Sequence, residues 1–143
     1  ALAIALGVED YVTFTGRVPD DEMLAMLNTA DLCVNPDVAN EMNDKSTMNK
    51  IMEYMALGKP IVQFDLPEGR FSAQDASLYA ARNDPVDLAR CIVALLDDPE
   101  RRTRMGEFGR SRVLKELEWQ YEAPKLLAAY EALWGSNATP VTR

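Results

Sequence analysis

No histidine occurs anywhere in these 143 residues. That absence removes the base on which Ser/His/Asp and Cys/His nucleophile systems depend, and it excludes a histidine-ligated zinc site in this chain. Any chemistry falls to carboxylates, lysines, arginines and backbone amides. Cysteine is nearly as scarce. Cys33 and Cys91 stand far apart, each among apolar neighbours, so neither belongs to a metal knuckle and both read as buried free thiols. That usage suits a reducing, cytoplasmic compartment, and no metal or other cofactor is expected. No apolar run approaches the roughly 20 residues of a membrane span, and the opening "ALAIALGVEDY" lacks the length and the basic flank of a signal peptide. A long basic run is missing too, and 15 Lys and Arg face 23 Asp and Glu, so nucleic acid is not an expected partner.

What is present is a chain of single-domain length with about half its residues apolar, the balance of a globular protein. Leu2, Ile4, Ala5 and Leu6 stop at Gly7 like the end of a helix. "YVTFTG", residues 11–16, alternates and reads as a strand. Asp20 or Asp21 should cap a helix carrying Met23, Leu24, Met26 and Leu27. "LCVNP", 32–36, is a buried strand, and Met48, Ile51, Met52 and Met55 then mark one face of a helix that Gly58 ends. "PIVQF" from Pro60 and the weaker "SLYAA", 77–81, are further strands. Asp84-Pro85 and Asp98-Pro99 each place an N-cap before a proline suited to the first helical position. The first of these helices buries Leu88, Cys91, Ile92 and Leu95. The second runs to Leu117 and carries Arg101, Arg102, Arg104, Arg110 and Arg112, read as solvated rather than as an anion site. A last helix near 120–134 has an aromatic face of Trp119, Tyr121, Tyr130 and Trp134, read as core packing, and the tail carries an idle sequon at Asn137.

This alternation predicts an α/β fold, an open, doubly wound parallel sheet with a helical C-terminus. Four strand candidates fall short of the six common in such sheets. Together with the start at Ala1 in what reads as a helix end, this suggests a piece of a longer protein with N-terminal strands missing. The expected organisation is one Rossmann-like unit over 1–135 and a flexible tail over 136–143.

In open α/β sheets ligands sit beyond the carboxyl ends of the strands, and residues 36–50 form such a loop. The amides of Thr47, Met48, Asn49 and Lys50 would lie in a helix's first turn, where N–H groups lack intrahelical partners and the dipole favours an anion. A diphosphate could dock there beside the Lys50 ammonium. Glu53 lies on the flank turned away from the methionine stripe, where a carboxylate can accept both vicinal hydroxyls of a ribose. The plainer alternative is a local Lys50/Glu53 pair on a solvated face.

The order of "GVEDYVTFTGRVPDDEMLAMLNTADLCVNP", "NKIMEYMALGKPIV", "DPVDLARCIVALLDDPERRTRMGEFGRSRV" and "EWQYEAPKLLAAYEAL" resembles the C-terminal, donor-binding domain of retaining glycosyltransferases of the family-4 type, group 1, which have two Rossmann-like domains in the GT-B arrangement. The resemblance implies a nucleotide-sugar donor, a glycan or lipid-linked acceptor and the chain's own N-terminal domain as partners. It implies a cytoplasmic setting, in some cases peripheral at the inner membrane face, and work in polysaccharide biosynthesis. Glu53 matches the second glutamate of the E-x7-E motif, which binds the donor ribose. Thr47, Met48, Asn49 and Lys50 match the helix start that holds the diphosphate, and Arg17, Val18 and Asp20 the loop that packs on the base. Asn35 and Pro36 match the strand end leading into the sugar-facing loop. The first motif glutamate is replaced by Lys45, with Asp44 one position off, and "KSTMN" stands for the usual glycine-rich loop. No catalytic residue is assigned within the chain, which is expected to transfer no sugar by itself. The competing reading is a catalytically silent binding or assembly module. A dehydrogenase-like or receiver-like domain is disfavoured, because no G-x-G-x-x-G follows the first strand and no acidic cluster stands at strand ends.

Overall fold

A computed structural model describes residues 2–134. In chain order the elements are α1 (Leu2–Ala5), α2 (Asp20–Thr29), β1 (Cys33–Asn35), α3 (Glu41–Asp44), α4 (Asn49–Ala56), β2 (Ile61–Phe64) and α5 (Pro67–Ala73). They continue with β3 (Ser77–Ala80), α6 (Pro85–Leu96), α7 (Pro99–Arg112) and α8 (Trp119–Trp134). The strands form one parallel sheet in the order β1-β2-β3. Parallel neighbours need a crossover, and α3 with α4 supplies the first and α5 the second.

All four residues of the central strand β2 are buried, as a strand covered on both faces requires. On one face Val62, Phe64, Leu66 and Ala80 pack with Leu88 and Leu95 of α6 and Met105 of α7. On the other, Ile61 packs with Ile51 and Met55 of α4 and with Ala73 and Ala76. The stripe expected of α4 is therefore its anchor. At its end, Gly58 at φ 69° lets its own N–H reach the Met55 carbonyl and the Lys59 N–H reach that of Tyr54, both at 2.9 Å. Asp84 and Asp98 cap α6 and α7 as expected, with Asp84 Oδ1 accepting from the Val86 and Asp87 amides and Asp98 Oδ1 from Arg101. Both cysteines are free, Cys33 buried and Cys91 half-buried, and burial raises both thiol pKa values. No helix among the described residues is long and apolar enough to cross a membrane.

Four expectations are corrected. Residues 11–16 form no strand. Their alternation is real, but extended backbone becomes a strand only through a ladder, β1 pairs with β2 alone, and Tyr11 and Phe14 stand 89% and 85% exposed. Neither Asp20 nor Asp21 caps α2: Pro19 takes the extended N-cap position, so Asp20, Asp21 and Glu22 fall in the first turn, where they complement the dipole. The arginines of α7 are not all solvated. Arg112 is buried, with Nε donating to the Ser72 carbonyl, Nη2 to that of Phe71, and Nη1 paired with Glu116. Arg102 caps the C-terminus of α6 at the Leu95 carbonyl and Arg110 that of α4 at Ala56. Finally, the aromatic face of α8 is not core. Trp119, Tyr121, Tyr130 and Trp134 are exposed, the last two stacked at 4.9 Å. The tail over 136–143 and its sequon lie outside the described residues.

Candidate functional site

The carboxyl ends of the strands lead into three connections: residues 36–48 before α4, 65–66 before α5, and 81–84 before α6. Polar side chains knit the three together. Between 36 and 57 there is no glycine, so the first loop takes its shape from hydrogen bonds. Asn40 caps α3 through Oδ1 and the Asn43 amide, and the buried Asn43 side chain donates back to the Val38 carbonyl at 2.8 Å. Thr47 Oγ1 donates to Glu68 of α5 at 2.7 Å. From the third connection, Asn83 Oδ1 accepts from the Ala39 amide at 2.6 Å while its Nδ2 donates to the Ala39 carbonyl at 3.2 Å, and Arg82 pairs with Asp44 at 2.7 Å. Asp65 and Arg70 form a two-pronged pair, and Arg70 stacks on Tyr79 at 4.1 Å. The Arg70 hydrogen bond lowers the Asp65 pKa, and burial pushes that of Tyr79 up to about 12.

Met48 is the N-cap of α4, in extended conformation and with no side-chain cap. The expected first turn is therefore cut back: Thr47 lies outside the helix, and the amides of Asn49 and Lys50 open it without an intrahelical acceptor. Lys50 is not the free cation the sequence suggests, since its Nζ lies 2.6 Å from Asp37 Oδ2. The local Lys50/Glu53 bridge is not formed: Lys50 pairs with Asp37 instead. The Glu53 carboxylate is exposed and takes no hydrogen bond or ion pair from the described residues. It borders an apolar cleft of about 180 Å³ with Met23, Leu24, Leu27, Ala56 and Leu57. Arg17, Val18 and Asp20 line a neighbouring cleft of about 420 Å³. Met23 and Leu27 of α2 belong to both, so the structure brings the expected base loop and the expected ribose carboxylate to two sides of one helix.

Asp44 and Lys45 sit at the end of α3 but engage protein partners, Asp44 through Arg82 and Lys45 through Glu41 at 2.8 Å. The second oxygen of Asp44 is buried without a hydrogen bond. Asn35 ends β1 fully buried, neither of its amide atoms hydrogen-bonded, in register with buried Gln63 of β2. Sequence reasoning missed Asp37, Glu68, Arg82 and Asn83. Their contacts span 13 to 44 residues, beyond any local spacing rule. No group of three or more metal-ligating side chains gathers among the described residues.

The family model for "Glycosyl transferases group 1" matches residues 1–98. The chain belongs to the group 1 glycosyltransferases. An MMP alpha-(1->4)-mannosyltransferase of Mycolicibacterium hassiacum is 29% identical over 133 residues, which cover 91% of this chain and 31% of that protein. A 2-deoxystreptamine glucosyltransferase of Streptomyces kanamyceticus is 28% identical over 92% of this chain and 33% of its own length. A phosphatidyl-myo-inositol mannosyltransferase of Mycobacterium leprae is 28% identical over 92% and 34%. The chain thus spans about a third of the length of the curated relatives it matches. A solved structure of sucrose-phosphate synthase from Thermosynechococcus elongatus superposes with a TM-score of 0.77 at 23% identity, over 95% of this chain and 33% of that one. The Rossmann-like α/β fold expected for this group is the fold observed.

Proposed function

We propose that this chain is the donor-binding part of a glycosyltransferase that moves a sugar from a nucleoside diphosphate to an acceptor with retention of configuration. The observation that carries the reading is the unpaired Glu53 carboxylate, on the helix that starts uncapped and beside a cleft that shares Met23 and Leu27 with the one lined by Arg17, Val18 and Asp20. Two carboxylate oxygens suit the two hydroxyls of a ribose, the amides of Asn49 and Lys50 suit a diphosphate, and the apolar flank of α2 suits the face of a base. In the transfer, the bond between the anomeric carbon and the diphosphate oxygen breaks. The acceptor hydroxyl oxygen bonds to that carbon on the same face, and its proton passes to the departing diphosphate. Helix amides stabilise the charge that builds on that leaving group, and positioning supplies much of the rest, so no metal is invoked. The acceptor, a glycan or a lipid-linked alcohol, is held by another part of the full-length protein, the expected N-terminal domain. A relative named for phosphatidyl-myo-inositol supports the lipid-linked choice, and the setting that goes with this reading is the cytoplasm, at the inner membrane face.

Glu53→Ala in the full-length protein tests this by calorimetry with UDP, GDP and ADP. Losing two charge-assisted hydrogen bonds should weaken the nucleotide that binds by about 100-fold. Unchanged affinity would refute the ribose role. A catalytically silent module is the second reading, favoured by one observation: Lys45 occupies the position of the expected sugar-binding glutamate, and both it and Asp44 are tied to protein partners. Nucleotide binding without turnover of any sugar nucleotide by the full-length protein would favour that reading.

A further inference from the structure

We propose that Arg82 and Asn83, on the turn between β3 and α6, are positioning residues that hold the sugar-facing loop in a single shape. The inference rests on the donor-site reading above for its functional consequence, but its structural content is independent. A glycine-free loop of 13 residues, 36–48, has no sheet ladder beyond β1 to define it. Asn83 supplies a substitute. Its side-chain amide faces the Ala39 peptide and both accepts from its N–H and donates to its carbonyl, as a neighbouring strand would. To do so Asn83 adopts φ 59°, a left-handed conformation that Asn tolerates better than most residues. Arg82 then reaches the same loop five residues on, at the end of α3. One arm of its guanidinium meets Asp44 at 2.7 Å, and the other donates to the Asp65 carbonyl at 3.3 Å, at the head of the second connection.

Two adjacent residues therefore clamp the loop at two points five residues apart, Ala39 and Asp44, and tie it to the strand ends. The planar fork of arginine makes both contacts at once, which a lysine ammonium cannot reproduce with the same geometry. The clamp also fixes Asp44 with one oxygen occupied and the other turned inward without a partner. The transferred sugar would thus meet a wall whose carboxylate is set by Arg82 rather than by its own rotamers. Arg82 and Asn83 act through the loop and are not catalytic residues.

The test uses the full-length protein. In Asn83→Gly, which keeps the backbone conformation and removes the amide, the Ala39 N–H should exchange with deuterium at least tenfold faster than in wild type, and Asn83→Asp, which retains the acceptor, should restore part of the protection. Exchange as slow as in wild type would overturn the proposal. The functional part is read by titrating UDP, GDP and their glucose and mannose conjugates. Arg82→Ala should leave the affinity for the free nucleotide within twofold and lower affinity or kcat for the sugar nucleotide tenfold or more, with Arg82→Lys recovering less than half of the loss. A role in stability alone would lower Tm and leave the ratio of sugar-nucleotide to nucleotide affinity unchanged, and that ratio would refute positioning. If wild type binds neither nucleotide, the donor-site reading fails by itself, and Ala39 exchange still decides whether the clamp exists.

Discussion

Adding one methyl group at Gly106 should be among the most damaging small changes in the chain. Gly106 faces the end of α4, and a Cβ built there would lie 2.1 Å from the Gly58 carbonyl oxygen and 2.9 Å from its carbon. That is about 1.3 Å short of an ordinary contact, and the obstacle is backbone, so no rotamer change relieves it. Nor is the obstacle free to move. Gly58 sits at φ 69°, its N–H and that of Lys59 close the end of α4, and the Lys59 ammonium holds the Asn28 and Ala30 carbonyls at 2.7 and 3.0 Å. Overpacking a rigid interior costs about 1–3 kcal/mol and sometimes more, whereas alanine in a helix interior returns at most about 1 kcal/mol. The net expectation for Gly106→Ala is a loss of about 2 kcal/mol or more, which at an m-value of about 2 kcal/mol/M moves a urea midpoint down by about 1 M. Gly16→Ala is the control: nothing lies within 4 Å of its added methyl, so only the left-handed φ of 63° is penalised, by about 1 kcal/mol. A Gly106→Ala midpoint at or above that of Gly16→Ala would show that α7 and α4 do not approach this closely. Because α4 carries Glu53 and the open amides, the same substitution should also weaken nucleotide binding.

Two further outcomes follow from buried and paired charges. Arg112→Met should destabilise the protein by about 2–3 kcal/mol in urea unfolding, because the buried Phe71 and Ser72 carbonyls lose their donor, while exposed Glu116 returns to water; a neutral result would mean that Arg112 only fills space. Asp65 has its folded pKa below the ordinary 3.8, chiefly through the Arg70 hydrogen bond, so the stability it contributes is present above that value and lost as pH falls through the folded pKa. Between about pH 5 and about pH 3, Tm should therefore fall less in Asp65→Asn than in wild type, and parallel curves would contradict the pairing.

The elements that periodicity and caps define were legible: the α4 stripe, the Gly58 stop and the Asp-Pro starts of α6 and α7 are local signals that the packing reinforces. Three of the four failures have one cause. Whether "YVTFTG" is a strand, whether Arg112 is solvated and whether the α8 aromatics are core all depend on what lies beside the segment, and a single sequence carries no partner information. The same limit divides the site. The stripe and stop of α4 were readable because one helix sets their spacing, whereas its start lies at Asn49 behind Met48 as N-cap and not at Thr47. The loop's supports were not readable, since Asp37–Lys50 ties the loop to the helix behind it while Thr47–Glu68 and Ala39–Asn83 join it to α5 and to the third connection.

Charge pairing around the loop sharpens what a diphosphate would meet. Asp37 is matched by Lys50, Glu41 by Lys45 and Asp44 by Arg82, so every acidic and basic residue between 36 and 50 has a partner of opposite sign close by. The side chains there contribute no net field toward an incoming dianion. Three features are left uncancelled: the partial positive charge of the open α4 start, equivalent to about half an elementary charge, the Glu53 carboxylate beyond it, and the Glu68 carboxylate that accepts from Thr47 at 2.7 Å. Half a charge matches only part of a diphosphate, so the helix start positions this anion while cations outside residues 36–50 must supply most of its neutralisation. Lys50→Ala should then weaken nucleoside diphosphate binding mainly by releasing Asp37, a newly unpaired negative charge near the helix start. The double substitution Lys50→Ala with Asp37→Asn should recover most of the lost affinity in calorimetry of the full-length protein. If the double variant binds no better than Lys50→Ala alone, Lys50 contacts the phosphates directly, and the neutral-loop account is wrong.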